Sequence, residues 1–371
     1  MLLPEFHESF RINGRSFTRE ELHDFSGLQA EDGSLPVWKR ELFSFIHMFL
    51  QSGEEGILQP TSGTTGDPGK VLLKRSSMIR SAEMTLEFFQ LRPGDRVLLC
   101  LPVRYIAGKM MVVRALAGGL SLVTVEPSSR PLEETSGPFR FAAMVPLQVH
   151  ESLRNGDPLS ELNQLIIGGG ELRLSLREEL KKSERPAVYE TFGMTETCSH
   201  FALKRINGER PDQCFRTLEG VRIRKDGRGC LVVEVPGVTD GEIATRDLVE
   251  INPEGEGFSW LGRMDNVIKS GGVKIIPEVL EERIGKWLGR NCLVLPEEHR
   301  GLGQQLVLMV ETGGRSVPGD DWLELLRSKL TGPELPKRVV TVERIPRNAS
   351  FKPDRKAATR LISRGRTDPR I

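Results

Sequence analysis

The sequence predicts a large α/β body followed by a smaller α+β unit, and three textures along its 371 residues carry that prediction. From Arg96 to Gly193, short apolar runs closed by proline or glycine alternate with helical periods, the pattern of a parallel sheet flanked by helices. After about Gly208 the runs become β-branched and turn-punctuated, which predicts antiparallel strands forming a barrel or small sheet. Beyond Gly262 helix and strand patterns alternate once more. Residues 1–262 are therefore read as one domain and residues 263–371 as a second.

Each element has its own local reason. Asn13-Gly14 is a turn signal between two short extended runs. Thr18 and Glu21 have the spacing of a capping box for the helix that follows. Trp38 to Leu50 places apolar residues at helical intervals. "RVLLCLP" (Arg96 to Pro102), "LSLVTVE", "QLIIGGG" and "AVYETFG" read as buried strands, with "MMVVRALAGG" and "LSLREELKKS" as helices between them. "VRIRKDGRGCLVVEVPGV" and "DLVEINPEGEGFSWLGR" read as antiparallel strands. In the last third, "IPEVLEERIGKWL" is an amphipathic helix and "QQLVLMVE" a strand. "GDDWLELLRSKL" is a helix that Asp320 or Asp321 could cap.

Composition narrows the function classes. Hydrophobic residues make up 38 % of the chain and charged residues 28 %, so a packed core is expected and global disorder is not. The net charge of +1 gives no reason to expect nucleic acid or an anionic membrane as the main partner. Five cysteines without a C-x-x-C pair fit free thiols in a reducing compartment. The opening "MLLPEFHESF" lacks the order of a signal peptide, and the longest apolar stretches are too short to span a bilayer. A cytoplasmic protein is expected.

"LQPTSGTTGDPGKVLLK" (Leu58 to Lys74) concentrates hydroxyls, glycines and a lysine in one loop, which suits a polyphosphate. It is not a Walker A loop: Thr64 stands where the first glycine is needed, and Val71 where a magnesium-binding hydroxyl is needed. The loop still offers donors at Thr61, Ser62, Thr64 and Thr65 and free amides around its glycines. It resembles the T-S-G-[ST]-T-G-x-P-K-G loop of the acyl-adenylate-forming (AMP-binding) superfamily, with the final Lys-Gly pair inverted. That resemblance implies the acyl-adenylate-forming fold. It also implies that Thr61, Ser62, Gly63, Thr64, Thr65, Gly66 and Lys70 hold the β- and γ-phosphates of ATP.

Further segments extend the resemblance in the family's order, from about Gly56 to Arg355. "YETFGMTETCSH" (Tyr189 to His200) is similar to the Y-x-x-Y-G-x-T-E motif, with Phe192 in place of the commoner tyrosine. It implies that Phe192 faces adenine, Thr195 meets the α-phosphate and Glu196 ligates Mg²⁺. Gly169, Gly170 and Glu171, in "GGGEL", resemble the wall of the adenine and acyl pocket. Asp247 matches the acid that binds the ribose hydroxyls, Arg263 a second nucleotide contact and Asp265 the hinge. "KSGGVKI" resembles the loop that enters the thioesterification site, so Gly271, Gly272 and Lys274 are expected near coenzyme A. "IPRNASFKPDRK" resembles the C-terminal motif of the catalytic lysine, which implies that role for Lys352, with Phe351 in place of the usual glycine. The segment ahead of Gly56 is shorter than in most relatives, which implies one trimmed subdomain.

Within the family, "LPVRYIAGKMMVVRALAGG" and "GMTETCSHFALKRING" resemble the o-succinylbenzoate-activating ligases of menaquinone biosynthesis. The implied reaction joins an aromatic dicarboxylate to coenzyme A through an acyl-adenylate, at the expense of ATP and with Mg²⁺. A second substrate carboxylate calls for a buried or half-buried cation. Arg114 is the candidate, with Tyr105, Gly193, Ser199 and His200 as further lining. For Arg114 alone, a place on the helix surface is an equal reading. A generic aryl- or acyl-CoA ligase and a non-catalytic nucleotide-binding relative stay open, as does a homodimer.

Overall fold

The structure, a computed structural model, describes residues 4–51, 56–60, 69–133, 135, 137–314, 319–348 and 352–364. The N-terminal strands β1 (Arg11–Ile12) and β2 (Arg15–Ser16) flank Asn13 and Gly14, whose φ values of 48° and 82° are those of a two-residue hairpin turn. Helix α1 (Arg19–Glu31) begins at the predicted capping box. The Glu21 amide donates to Thr18 Oγ1 at 3.2 Å, and the Thr18 amide donates to the Glu21 carboxylate at 2.8 Å. Helix α2 (Val37–Leu50) buries Leu42, Phe45, Ile46 and Phe49. The antiparallel pair β3 (Gly56–Pro60) and β4 (Lys70–Lys74) then leads into α3 (Arg75–Phe89).

The predicted alternation follows as β5 (Arg96–Leu99), α4 (Ile106–Gly118), β6 (Ser121–Thr124), β7 (Phe139–Met144), α5 (Pro146–Asn155), β8 (Leu162–Ile167), α6 (Leu174–Lys181) and β9 (Ala187–Gly193). These strands are parallel and lie in the order β6-β5-β7-β8-β9. The apolar runs of β5, β7 and the second half of β8 are buried at consecutive positions, hence on both faces, as a helix-covered parallel sheet requires.

Strand β10 (His200–Arg205) pairs antiparallel with β9. Then β11 (Phe215–Thr217), β12 (Arg222–Lys225), β13 (Cys230–Glu234), β14 (Ile243–Ile251) and β15 (Gly257–Arg263) complete a single 13-stranded sheet. The antiparallel region expected as a barrel or separate small sheet is thus the second half of the main sheet. Both edges of β10 are hydrogen-bonded, to β9 and to β11, which leaves no open edge between the halves.

After Arg263 come β16 (Ile268–Ser270), β17 (Val273–Ile275), α7 (Pro277–Leu288), β18 (Cys292–His299), β19 (Gly303–Glu311), α8 (Gly319–Arg327), β20 (Arg338–Val342) and α9 (Arg355–Arg364). Their strands form a second sheet, β17-β16-β19-β18, with β20 parallel to β19. Helix α7 places Leu280 and Ile284 in a core with Leu306, Leu308 and Trp322, side chains whose full burial contributes about 1.5–3 kcal/mol each. Helix α8 already starts at Gly319, so Asp320 and Asp321 lie inside its first turn rather than at a cap.

This unit folds back onto the body. A Cβ on Gly262 would lie 2.2 Å from the Glu278 carboxylate, and one on Gly285 would lie 3.0 Å from Leu174 of α6. Arg173 and Glu311 approach to 3.7 Å across the same contact. Among the described residues, no helix is long and apolar enough to cross a membrane, and all five cysteines are free.

Candidate functional site

In open α/β sheets ligands gather beyond the carboxyl ends of the parallel strands, and here two strand ends are shaped by glycines. Strand β8 runs into Gly168-Gly169-Gly170. A Cβ on Gly168 would sit 2.3 Å from Thr191 Oγ1, and Gly169 has φ +77°. Strand β9 ends at Gly193, where a Cβ would sit 2.3 Å from the Ser199 carbonyl oxygen. Gly170 is half-buried and Glu171 exposed beside them.

The turn after β9 is strained. Cys198 has φ +59° and ψ −39°, and the Ser199 amide reaches the Thr197 carbonyl at 2.6 Å, a γ-turn of the rare positive-φ kind. A non-glycine residue held there costs on the order of 1–3 kcal/mol and is commonest at functional sites. The Thr197 hydroxyl accepts from the Met194 amide at 3.1 Å and lies 2.8 Å from the Ser199 carbonyl, bracing the turn. Thr195 and Glu196 occupy the 3-10 segment, with Glu196 exposed. Phe192 is half-buried and meets Phe201, Phe215 and Phe258 edge to face, at 5.8, 5.3 and 5.1 Å between centroids.

A second group of predicted residues converges where β14 and β15 pair. Asp247 lies opposite Arg263 in register, and its Oδ1 accepts a 3.0 Å hydrogen bond from the Trp260 indole. The Arg263 guanidinium is 3.7 Å from the same oxygen. Asp265 pairs with Arg246 at 2.6 Å and with Arg263 at 3.2 Å, and the two arginines hold its carboxyl below the usual range against the opposing effect of desolvation.

Lys352 lies near enough to this group to feel the charges of both Asp247 and Arg263. Two hydrogen bonds with Asn348 hold it: the Lys352 amide donates to Asn348 Oδ1 at 3.1 Å, and the Asn348 amide donates to the Lys352 carbonyl at 2.9 Å. The Asp354 amide closes on the Pro346 carbonyl at 2.8 Å, and Arg355 binds the Glu281 carboxylate with both terminal nitrogens, at 2.8 and 2.6 Å. The Lys352 side chain keeps access to solvent, yet the protein packed around it lowers its pKa. Asp247 favours the charged ammonium and Arg263 opposes it. The lysine and the carboxylate expected to hold ribose therefore share one electrostatic neighbourhood.

Behind the strained turn lies a buried cation. Arg114, on α4, is 2 % exposed and donates to Ser199 Oγ and to Met111 Sδ. Its Nε has no partner, and among the described residues no carboxylate pairs with it. Burial pulls its pKa down to about 9, so it stays charged at neutral pH. Ser199 Oγ lies 3.3 Å from His200 Nδ1, and His200 Nε2 lies 3.4 Å from Thr85 Oγ1, which donates to the Ser81 carbonyl at 3.2 Å. The chain has one consistent direction. Arg114 can only donate, so Ser199 passes its hydrogen to Nδ1 and a neutral His200 donates from Nε2. Burial, reinforced by Arg114, keeps the His200 pKa well below its ordinary value.

His200 thus binds fewer protons folded than unfolded. Its contribution to stability is complete above about pH 6.5, the unfolded value, and is lost as pH falls towards the folded one. Thermal melts of the protein and of His200→Gln between pH 7.5 and 5 should show the variant losing less stability over that interval. Parallel curves would contradict the assignment.

The remaining predicted residues are placed as follows. Thr61 to Gly66 lie outside the described residues, while Lys70 opens β4, exposed and opposite Pro60. Tyr105 precedes α4 and is 53 % exposed, at the other end of the helix from Arg114's network. Gly271 and Gly272, with φ +56° and +83°, form the turn of the β16–β17 hairpin, in which exposed Lys269 and Lys274 face each other across the strands. Among the described residues, no three histidines, cysteines or carboxylates cluster as a metal site. Trp260 and Thr85 were missed by sequence reading. Trp260 stood in the quoted strand, where its indole proton was the available signal.

Residues 51–247 match the family model described as "AMP-binding enzyme". The chain is 28 % identical over 323 residues to the 2-succinylbenzoate–CoA ligase of Salmonella typhimurium, covering 81 % of this chain and 68 % of that one. It is 32 % identical, with a TM-score of 0.61, to an acyl-CoA synthetase (AMP-forming)/AMP-acid ligase II-like protein from Dyadobacter fermentans, covering 92 % and 98 % of the two chains. The o-succinylbenzoate CoA synthetase of Bacillus subtilis, solved with its acyl-adenylate intermediate, shares the fold at 19 % identity and a TM-score of 0.68, over 92 % and 81 % of the chains. With the glycine-walled strand ends, the strained T-E turn and the Asp247–Arg263–Lys352 group in the family's order, this chain belongs to the AMP-binding enzyme family.

Proposed function

We propose that the chain is an AMP-forming acid–thiol ligase of the cytoplasm that activates o-succinylbenzoate and transfers it to coenzyme A. The observation that carries the choice of acid is Arg114, a buried guanidinium beside the T-E turn with no carboxylate partner among the described residues. An uncompensated buried charge is costly, so a site that keeps one is suited to an anionic ligand. A substrate with a second carboxylate supplies that charge, and a monocarboxylic acid does not.

Carboxylate and nucleotide are both anions, so adenylation needs charge neutralisation and positioning more than proton transfer. In this reading Asp247 accepts the ribose hydroxyls, its Oδ1 oriented by Trp260. Phe192 flanks the base, and Thr195 hydrogen-bonds the α-phosphate. Lys352 bridges the α-phosphate and the reacting carboxylate as the acyl–phosphate bond forms and pyrophosphate departs. The Thr61–Lys70 segment receives the pyrophosphate. Glu196, exposed and without a cluster of other ligands among the described residues, fits Mg²⁺ held by one carboxylate together with substrate phosphates. That ion would neutralise phosphate charge.

For the second step, residues 1–262 act as the body and 263–371 as a cap turning at Asp265. The cap withdraws Lys352 and presents Gly271, Gly272 and Lys274 to coenzyme A, whose thiolate displaces AMP. Asp265→Pro should leave pyrophosphate release within a few-fold of normal and cut thioester formation strongly. Equal loss of both in separate assays would refute the hinge. Mass-spectrometric detection of the thioester from o-succinylbenzoate, ATP, Mg²⁺ and coenzyme A tests the whole reaction. A product from simple aryl acids alone would favour the generic ligase instead.

A further inference from the structure

The first turns of α4 carry a second buried cation, which the reaction above does not use. Lys109 is 8 % exposed, and its ammonium donates to Gln59 Oε1 at 2.5 Å, with the Phe45 ring 5.7 Å away. Among the described residues no carboxylate pairs with it. An ammonium has only donors, so it dictates which end of the Gln59 amide it meets. The amide nitrogen must then point the other way, where it donates to the Pro60 carbonyl at 3.3 Å and the Arg104 carbonyl at 3.2 Å.

Three segments meet at this amide. Pro60 is the last residue of β3, directly ahead of the residues read as the triphosphate loop. Arg104 belongs to the turn closed by the Tyr105 amide on the Pro102 carbonyl at 3.2 Å. Lys109 and Arg114 both belong to α4, and Gly108 fixes that helix on the turn, since a Cβ there would lie 2.4 Å from the Pro102 oxygen. Gln59 is itself 2 % exposed, so a rotated amide would find no water to replace those partners.

We propose that Lys109 is a positioning residue: by locking the Gln59 amide it holds the root of the triphosphate loop in register with the acyl-pocket helix, and so sets ATP affinity. The inference rests on the ATP-dependent reading above.

Lys109→Met keeps the unbranched apolar stem, one atom shorter, and removes the donor. Affinity for a non-hydrolysable ATP analogue, measured by calorimetry, should weaken by about tenfold, the usual size for a lost hydrogen bond to a charged group. Affinity for o-succinylbenzoate without nucleotide should stay within about twofold. Gln59→Met should reproduce the nucleotide defect, and the double variant should be no worse than either single. Nucleotide affinity unchanged in both variants, or a defect shared equally by the acid, would overturn the proposal. Melting temperatures identify a variant that folds poorly, in which case the other decides. Absence of acid-dependent pyrophosphate release in the unmodified protein overturns the ligase reading, whereas the nucleotide affinities of the variants still decide the role of Lys109.

Discussion

Lys352→Gln is expected to reduce acid-dependent pyrophosphate release by about a thousandfold, while nucleotide affinity changes far less. Two unit charges ~4 Å apart interact by roughly 4 kcal/mol at an effective dielectric of 20, and each ~1.4 kcal/mol is a factor of ten in rate. In the proposed reaction the ammonium would serve the transition state, where charge gathers between carboxylate and α-phosphate, more than the bound nucleotide. Thioester formation from pre-formed acyl-adenylate should survive if, as proposed, the cap has withdrawn the lysine by then. The packed surroundings that lower the Lys352 pKa add a pH signature. As pH rises through that lowered value the ammonium is lost, so adenylation should decline on the alkaline side and the Gln variant should lack that limb. A variant whose adenylation and thioester steps fall together would place Lys352 outside the adenylation chemistry.

Arg114→Met carries the second large effect. The side chain already packs against Met111 and donates to Ser199, so methionine fits the apolar part of its place. If Arg114 meets the second carboxylate of the substrate as proposed, the substitution strands that carboxylate in a buried pocket. Losing one partner of a buried charge pair typically costs about 3–5 kcal/mol, so KM for o-succinylbenzoate should rise by about a hundredfold or more. The variant should melt no lower than the unmodified protein, since it removes a buried charge with no carboxylate partner. Unchanged affinity for the dicarboxylate would move Arg114 out of the acyl site.

Local chemistry was legible in the sequence wherever one segment sufficed to define it. The Thr18–Glu21 box needs only its own three-residue spacing, and the β8 and β9 strands only their apolar runs and terminal glycines. The Gly271-Gly272 turn is likewise local. The expectation of a buried cation followed from substrate charge, and the structure decided between the core and the helix surface for Arg114. Other features depend on which segments meet. The antiparallel half joins the parallel half because β10 is paired on both edges, a matter of register and not of composition. Trp260 orients Asp247 from 13 residues away, and Lys109 finds Gln59 from 50 residues away. The backbone strain at Cys198 has no marker in residue type, since glycine or asparagine would be the usual occupants of positive φ.

Acid-dependent ATP–pyrophosphate exchange, with o-succinylbenzoate compared against the two analogues that each lack one of its carboxylates, tests the central claim most directly. The account predicts rapid exchange with the dicarboxylate and exchange reduced by about a hundredfold or more with either analogue. Equal exchange with an analogue that keeps only the reacting carboxylate, or none with any acid, would contradict it.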